Sequence, residues 1–227
     1  MTAHDPAGVE LVRVSATSGQ VVVTAEDRTD ITIDAGEVVR DGSTLTVRVG
    51  SDSVEVRVPE GAAVVVGSQS GQVELNGRFG SVGVSSESGQ ISVDEGRSVD
   101  VRTTSGSVDV QRATEVCRAH SLSGQVEVHE TADLYAHTRS GSIQVRHAAG
   151  TVRVRATSGQ VDVGIDGASD IGAETIDGTI VLRLAEGLGA EVSARSNSGR
   201  VENTAPAGRD CSVSARSVSG RIEVRGR

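Results

Sequence analysis

Apolar and polar residues alternate along most of the chain in short runs, and the runs recur at a steady distance. A hexad of the form Ser-Gly-x-(Val/Ile)-x-(Val/Leu) occupies residues 18–23, 70–75, 88–93, 105–110, 123–128, 140–145, 158–163 and 219–224, with degenerate copies at 177–182 and 198–203. Its glycines are Gly71, Gly89, Gly106, Gly124, Gly141, Gly159, Gly178, Gly199 and Gly220. The period is therefore about 17–18 residues, lengthening to about 21 near the C-terminus. A second alternating segment precedes each hexad, as in Val99 and Val101, Leu134 and Ala136, Val152 and Val154, or Val213 and Ala215. Period-two alternation rich in Val and Thr, with Gly at the corner, predicts two short strands per repeat. A helical reading fails, because no window sustains i, i+3, i+4, i+7 spacing and Gly recurs too often.

Two strands and two corners per period predict an all-β fold, a parallel β-solenoid whose coils stack with strands about 4.8 Å apart. Equivalent residues then form columns. One inward column is Val73, Ile91, Val108, Val126, Ile143, Val161, Ile180, Val201 and Ile222, accompanied by Leu75, Val93, Val110, Val128, Val145, Val163 and Leu182. The facing wall uses Val99, Leu134, Val152, Ile171, Val192 and Val213 with smaller Ala119, Ala136, Ala173, Ala194 and Ala215. The corner glycines are expected to supply a positive φ or a close backbone approach, with the preceding Ser bonding the turned backbone.

Residues 1–66 depart from this register and read as N-terminal strands and a cap of the same domain, ahead of regular coils over 67–227. The alternating runs at 31–33, 45–49 and 54–58, separated by Asp41-Gly42 and by Pro59 to Gly61, fit either irregular coils or an antiparallel cap. No comparable cap follows the last repeat. Residues 221–225 read as a final strand with an exposed edge that would invite another copy.

Composition narrows the chemistry. Of 227 residues, 1% are aromatic, and Trp is absent, so the usual stacking platform for sugars or bases is missing. A thin core between two close walls explains the same shortage, because Val, Ile and Ala fill it. The net charge of −9 argues against nucleic acid or anionic lipid as a partner. No apolar run is long enough to cross a bilayer, no export signal is evident, and the cysteines are two. The expectation is a cytoplasmic protein without membrane insertion. Cys117 falls on an inward position, and Cys211 lies about five coils away, or about 24 Å, which excludes a disulfide between them.

Three polar columns face outward. Four residues before the corner glycine stand Arg102, His120, His137, Arg155, Glu174, Arg195 and Arg216, a mostly basic ridge. Three residues after it stand Glu74, Asp109, Glu127, Asp162, Glu202 and Glu223, a mostly acidic one. These ridges are either a solvated surface or strips for side-by-side association. Gln72, Gln90, Gln125 and Gln160, with Ser107 and Ser142, form a third column able to bond along the stack. The histidines His4, His120, His129, His137 and His147 include one columnar pair, His120 and His137, without a third ligand column, so no metal is expected. Ser-Gly-Gln is not a nucleophile elbow, and no catalytic residue or cofactor is assigned.

The run Val54 to Gly61, followed by Ser70-Gly-Gln-Val, Gly80-Ser-Val, Ser88-Gly-Gln-Ile and Ser105-Gly-Ser-Val, resembles the bacterial putative-adhesin β-strand-repeat family, a domain of unknown function. The resemblance spans about residues 10–225 and implies a parallel β-solenoid with no assigned catalytic residues. The leading expectation is a non-enzymatic scaffold or protein-interaction module, able to self-associate. An adhesin-like binding module at the cell envelope is the alternative. A carbohydrate-active β-helix enzyme would need a cleft near residues 26–66.

Overall fold

The computed structural model describes residues 2–167 and 170–227, and every regular element among them is a β-strand. The backbone separates into two compact units, Met1–Thr114 and Glu115–Arg227.

Unit 1 opens with β1 (Thr2–His4), β2 (Leu11–Ala16), β3 (Gln20–Glu26), β4 (Ile31–Ile33), β5 (Glu37–Asp41), β6 (Thr44–Val49) and β7 (Val54–Pro59). It continues into β8 (Ala63–Ala148), an unbroken extended run that turns at its glycines and supplies coils to each unit. Strands β2 and β3 make one coil, and β6 and β7 another. Parallel pairing places β2 between β6 and the start of β8, with Val14 opposite both Val47 and Val66. In the same way β3 lies between β7 and β8, with Val23 opposite Val56 and Leu75. The coil that comes first in sequence is thus second in space. The outer coil is covered by antiparallel strands: β5 on β6, and β4 on β7 followed by β1 on β4. Residues 1–66 therefore contain both parallel coils and an antiparallel cap, the two arrangements that their alternation allowed.

Unit 2 adds β9 (Val152–Ile165), β10 (Asp170–Leu184), β11 (Ala190–Ser198), β12 (Val201–Thr204) and β13 (Cys211–Gly226). Each repeat stacks in register on the one before as far as β10: Leu134, Val152 and Ile171 form one column, and Gly141, Gly159 and Gly178 another. The next layer is β13, not β11. Ile171 faces Val213, and Gly178 faces Gly220. Strands β11 and β12 lie on the far side of β13, with Val192 opposite Val213 and Val201 opposite Ile222. The expectation of residues 221–225 as an exposed last strand is therefore corrected, since they lie between two coils. The 21-residue spacings from Gly178 to Gly199 and Gly220 supply the reason. The extra residues fall in the connections 185–189 and 205–210, long enough for the chain to step over one layer and return. Arg227 fastens the returned coil, its amide donating to the Leu184 carbonyl at 2.8 Å and its guanidinium reaching Asp166 at 3.0 Å and the Arg146 carbonyl at 2.7 Å. Cys211 accordingly sits four coils from Cys117, about 19 Å by strand spacing, and both are buried and neither forms a disulfide.

The inward columns are closed to solvent wherever a coil has neighbours on both sides. Val73, Ile91, Val161, Ile180 and Ile222 are each 0% exposed. Burying a Val or Ile contributes about 1.5–3 kcal/mol, so stacking is the main source of stability.

At the corners each glycine lies on the carbonyl of the glycine next to it. A Cβ on Gly89 would meet the Gly71 oxygen at 1.9 Å, and one on Gly220 would meet that of Gly178 at 1.9 Å. Most of these glycines also have positive φ, +121° at Gly89 and +145° at Gly220. Both expected reasons for glycine hold here.

Candidate interaction face

The serine before each corner glycine has a different job from the one expected. Its hydroxyl reaches the backbone of the adjacent coil: Ser88 to Gln69 at 3.4 Å, Ser105 to Glu87 at 3.3 Å, Ser158 to Arg139 at 3.4 Å and Ser219 to Ile176 at 3.5 Å. A second hydroxyl column stands three residues before the glycine, and at Ser68, Ser86, Thr103 and Thr138 it caps its own corner. Ser86 donates to the Ser88 carbonyl at 2.8 Å, and Thr103 donates to that of Ser105 at 3.2 Å. The buried hydroxyls of Ser121, Thr175 and Ser217, by contrast, meet no partner among the described residues, and Ser196 donates to the Gly220 carbonyl. This column was missed in the sequence, although Ser or Thr at 68, 86, 103, 121, 138, 175, 196 and 217 is a regular signal.

The acidic column lies lower on the wall than a solvated ridge. Glu74, Asp109, Glu127, Glu202 and Glu223 are half-buried and Asp162 is buried, and most meet a nearby donor. Glu74 accepts from Gln72 at 2.6 Å and from Gln20 at 3.2 Å, so these two amides bond to one carboxylate. Asp109 accepts from Gln111 at 2.9 Å. Arg146 reaches Glu127 at 2.6 Å, where His129 also stands at 3.6 Å. Arg183 grips Asp162 through both guanidinium nitrogens. Arg221 bridges Glu202 at 2.7 Å and Glu223 at 3.2 Å, and Arg225 holds Glu223 at 3.1 Å. Hydrogen bonding from Arg221 is the main cause that holds the Glu202 carboxyl below the usual carboxylate range, with Arg200 adding to it.

The basic column is exposed throughout. In unit 1, Arg102 turns to Asp100 at 3.3 Å. Unit 2 carries the rest on one wall. The rings of His120 and His137 stand 5.9 Å apart, tilted by 60°. One position along, the Arg118 guanidinium lies 5.7 Å over the Tyr135 ring. Arg155 pairs with Glu174 at 2.9 Å, and Arg153 pairs with Asp170. Arg216 and Arg195, register partners on β13 and β11, have no ion pair among the described residues. His147 pairs with Asp166 away from this wall, and the side chain of His4 lies outside the described residues.

Outward side chains on this wall shrink from Tyr135 and Arg153 to Gly172 and Ser214, and the drop opens a groove of about 540 Å³. A second groove of about 560 Å³ adjoins it, sharing His137, Arg155, Glu174 and Arg216. Three apolar side chains stand open along them: Tyr135 at 40%, Ile176 at 53% and Val218 at 48% exposure. Around residues 26–66, where a carbohydrate cleft was expected to be needed, a hollow of about 180 Å³ lies between Pro6, Leu11, Ile31 and Pro59.

The family model described as Toastrack DUF4097 matches residues 6–223. The chain belongs to that family. No curated protein matches this Toastrack chain. One solved structure aligns with it, that of a putative cell adhesion protein from Clostridium sporogenes, at 8% identity over 100% of this chain and 97% of that one, with a TM-score of 0.27. A likeness of that size carries neither fold nor function across. The Toastrack β-solenoid rests on the family match and on the strand register itself. Among the described residues no helix is long and apolar enough to cross a membrane.

Proposed function

We propose that this Toastrack chain is a non-enzymatic interaction module that uses the outer wall of unit 2 to hold an acidic, partly apolar segment of a protein partner. One observation carries the reading: among the described residues neither Arg216, which lies opposite the Arg155-bound Glu174, nor Arg195 forms an ion pair, and both line grooves along which Tyr135, Ile176 and Val218 stand open. Arginine and tyrosine are the residue types that anchor protein interfaces, and a fixed β-wall presents them with little ordering cost on binding. The half-buried acidic column contributes less, because its carboxylates are already engaged by Arg146, Arg183 and Arg221. The reading extends to a cytoplasmic location, where the buried thiols of Cys117 and Cys211 stay reduced.

Selection of a displayed random-peptide library on the full chain tests the site. Enrichment of acidic sequences with one or two large apolar residues is expected, and Arg216→Glu is expected to abolish it. Enrichment of basic peptides, or selection unchanged by Arg216→Glu, overturns the site. Recovery of the native protein only with the envelope fraction overturns the location.

A further inference from the structure

Unit 2 ends on a strand whose outer edge is bare. Strand β11 hydrogen-bonds β13 on one side only. On its other side the connection after β12 covers a single residue: the Ala190 amide donates to the Pro206 carbonyl at 2.9 Å, and the Gly208 amide donates to the Ala190 carbonyl at 3.3 Å. Backbone groups of alternate residues point the same way along a strand, so those of Val192 and Ala194 point outward as well. Nothing among the described residues pairs with them. The side chains agree with the backbone. Val192 and Ala194 are half-exposed, whereas their register partners Val213 and Ala215 are 1% and 0% exposed. Likewise Val201 is 39% exposed against 0% for Ile222.

The outward side chains of the same strand are Glu191, Ser193 and Arg195, and neither Glu191 nor Arg195 has an ion pair among the described residues. That sequence is self-complementary in one antiparallel register. With a two-fold axis at Ser193, Val192 faces the partner's Ala194 as a hydrogen-bonded pair, which joins the two outward-pointing sets of backbone groups. Glu191 then faces the partner's Arg195 as a non-hydrogen-bonded pair, the kind whose Cα atoms are about 4.5 Å apart and whose side chains are closest. The axis repeats the ion pair. Shifting the axis to Ala194 sets Arg195 opposite the partner's Ser193, and shifting it to Arg195 sets like charges together. Ser198 and Gly199 begin the corner, and Pro206 to Gly208 cover Ala190, so the ladder is bounded to residues 191–195.

We propose that this edge is a homodimerisation site, in which β11 pairs antiparallel with β11 of a second copy in the register Glu191 to the partner's Arg195. This goes beyond the binding groove, with which it shares Arg195; Glu191→Arg leaves Arg195 and Arg216 in place and so tests the edge apart from the groove, as Arg216→Glu tests the groove apart from the edge.

Sedimentation of the full chain over a range of concentrations tests the pairing. The wild type is expected to form a dimer. Glu191→Arg and Arg195→Glu are each expected to weaken it by about tenfold or more, because two attractions become two repulsions. An equimolar mixture of the two variants is expected to recover the wild-type affinity, since each strand then faces opposite charges. Ser193→Cys offers a second readout that needs no charge change, and oxidation is expected to link two copies across the axis. A wild-type chain that stays monomeric, single variants that dimerise as tightly as wild type, a mixture that stays monomeric although each variant keeps its β-sheet spectrum, or a Ser193→Cys variant that does not cross-link would each overturn the proposal.

Discussion

Unit 1 and unit 2 solve the same problem differently. Each stacks parallel coils, and each places the terminal coil of the sequence one layer inside the stack: β2 and β3 in unit 1, β13 in unit 2. In unit 1 the coil left outside is covered by the antiparallel strands β5, β4 and β1. In unit 2 the coil left outside, β11 and β12, has, among the described residues, only Pro206 to Gly208 against its first residue. Tucking a terminus inside a stack protects the terminus and transfers the edge problem to another strand. Unit 1 finishes the task within its own chain, and unit 2 leaves a short, charged edge suited to a copy of itself.

The contrast between inner and outer coils is sharpest at the corners. Gly220→Ala would drive a methyl into the Gly178 carbonyl in a layer held on both faces, so a loss of more than about 4 kcal/mol in denaturant unfolding is expected. Gly199→Ala meets the Gly220 oxygen equally closely at 1.9 Å, but its coil has no layer beyond it and can lift away. About 1–3 kcal/mol is expected there. Equal losses would show that the two coils are equally confined. The core follows the same order: Ile222→Ala is expected to cost about 2–5 kcal/mol and Val201→Ala less than about 1 kcal/mol.

The cap of unit 1 offers a way to erase the difference. Gly36 leads into β5 with φ +104°, and a Cβ there would lie 2.8 Å from the Arg48 carbonyl of β6. Gly36→Ala is expected to loosen β5 at a cost of about 1–3 kcal/mol and to bare the edge of β6. Combined with Glu191→Arg, it is expected to restore concentration-dependent association that the charge reversal alone removes. An unchanged sedimentation profile would show that β5 is not what protects β6.

The smallest effect is in pH. Glu202 on β12 is held below its ordinary value chiefly by its hydrogen bond from Arg221 on β13. A carboxylate so depressed stabilises the fold fully above its unfolded value, and that contribution is lost as pH falls from the ordinary glutamate range through the lowered folded value. Amide exchange in residues 201–204 is therefore expected to quicken over that window while β13 stays protected. Glu202→Gln is expected to remove the pH dependence.

The columns were legible in the sequence because a solenoid repeats each environment: the position two after the glycine is apolar in every coil, and every such residue with neighbours on both sides is buried. The order of the coils was not. Ile171 pairs as readily with Val192 as with Val213, since both repeats offer the same residue type in the same column. Periodicity therefore cannot say which is adjacent. The clues lay in the irregularities: the longer spacing after Gly178 and the degenerate hexad at 198–203, where Asn203 stands exposed opposite buried Val224. Of the wall in unit 2, the basic column was legible, but its pairing was not. Arg155 and Arg216 stand opposite Glu174 on its two sides, and the one carboxylate pairs with Arg155.

Residue-resolved amide exchange at low and high protein concentration tests both the inserted coil and the open edge at once. Residues 221–225 should be among the slowest of unit 2 at either concentration, while the amides of Val192 and Ala194 should exchange fast when dilute and slowly when concentrated. Fast exchange in 221–225, or Val192 and Ala194 amides indifferent to concentration, would contradict an inserted last coil that leaves β11 free to pair.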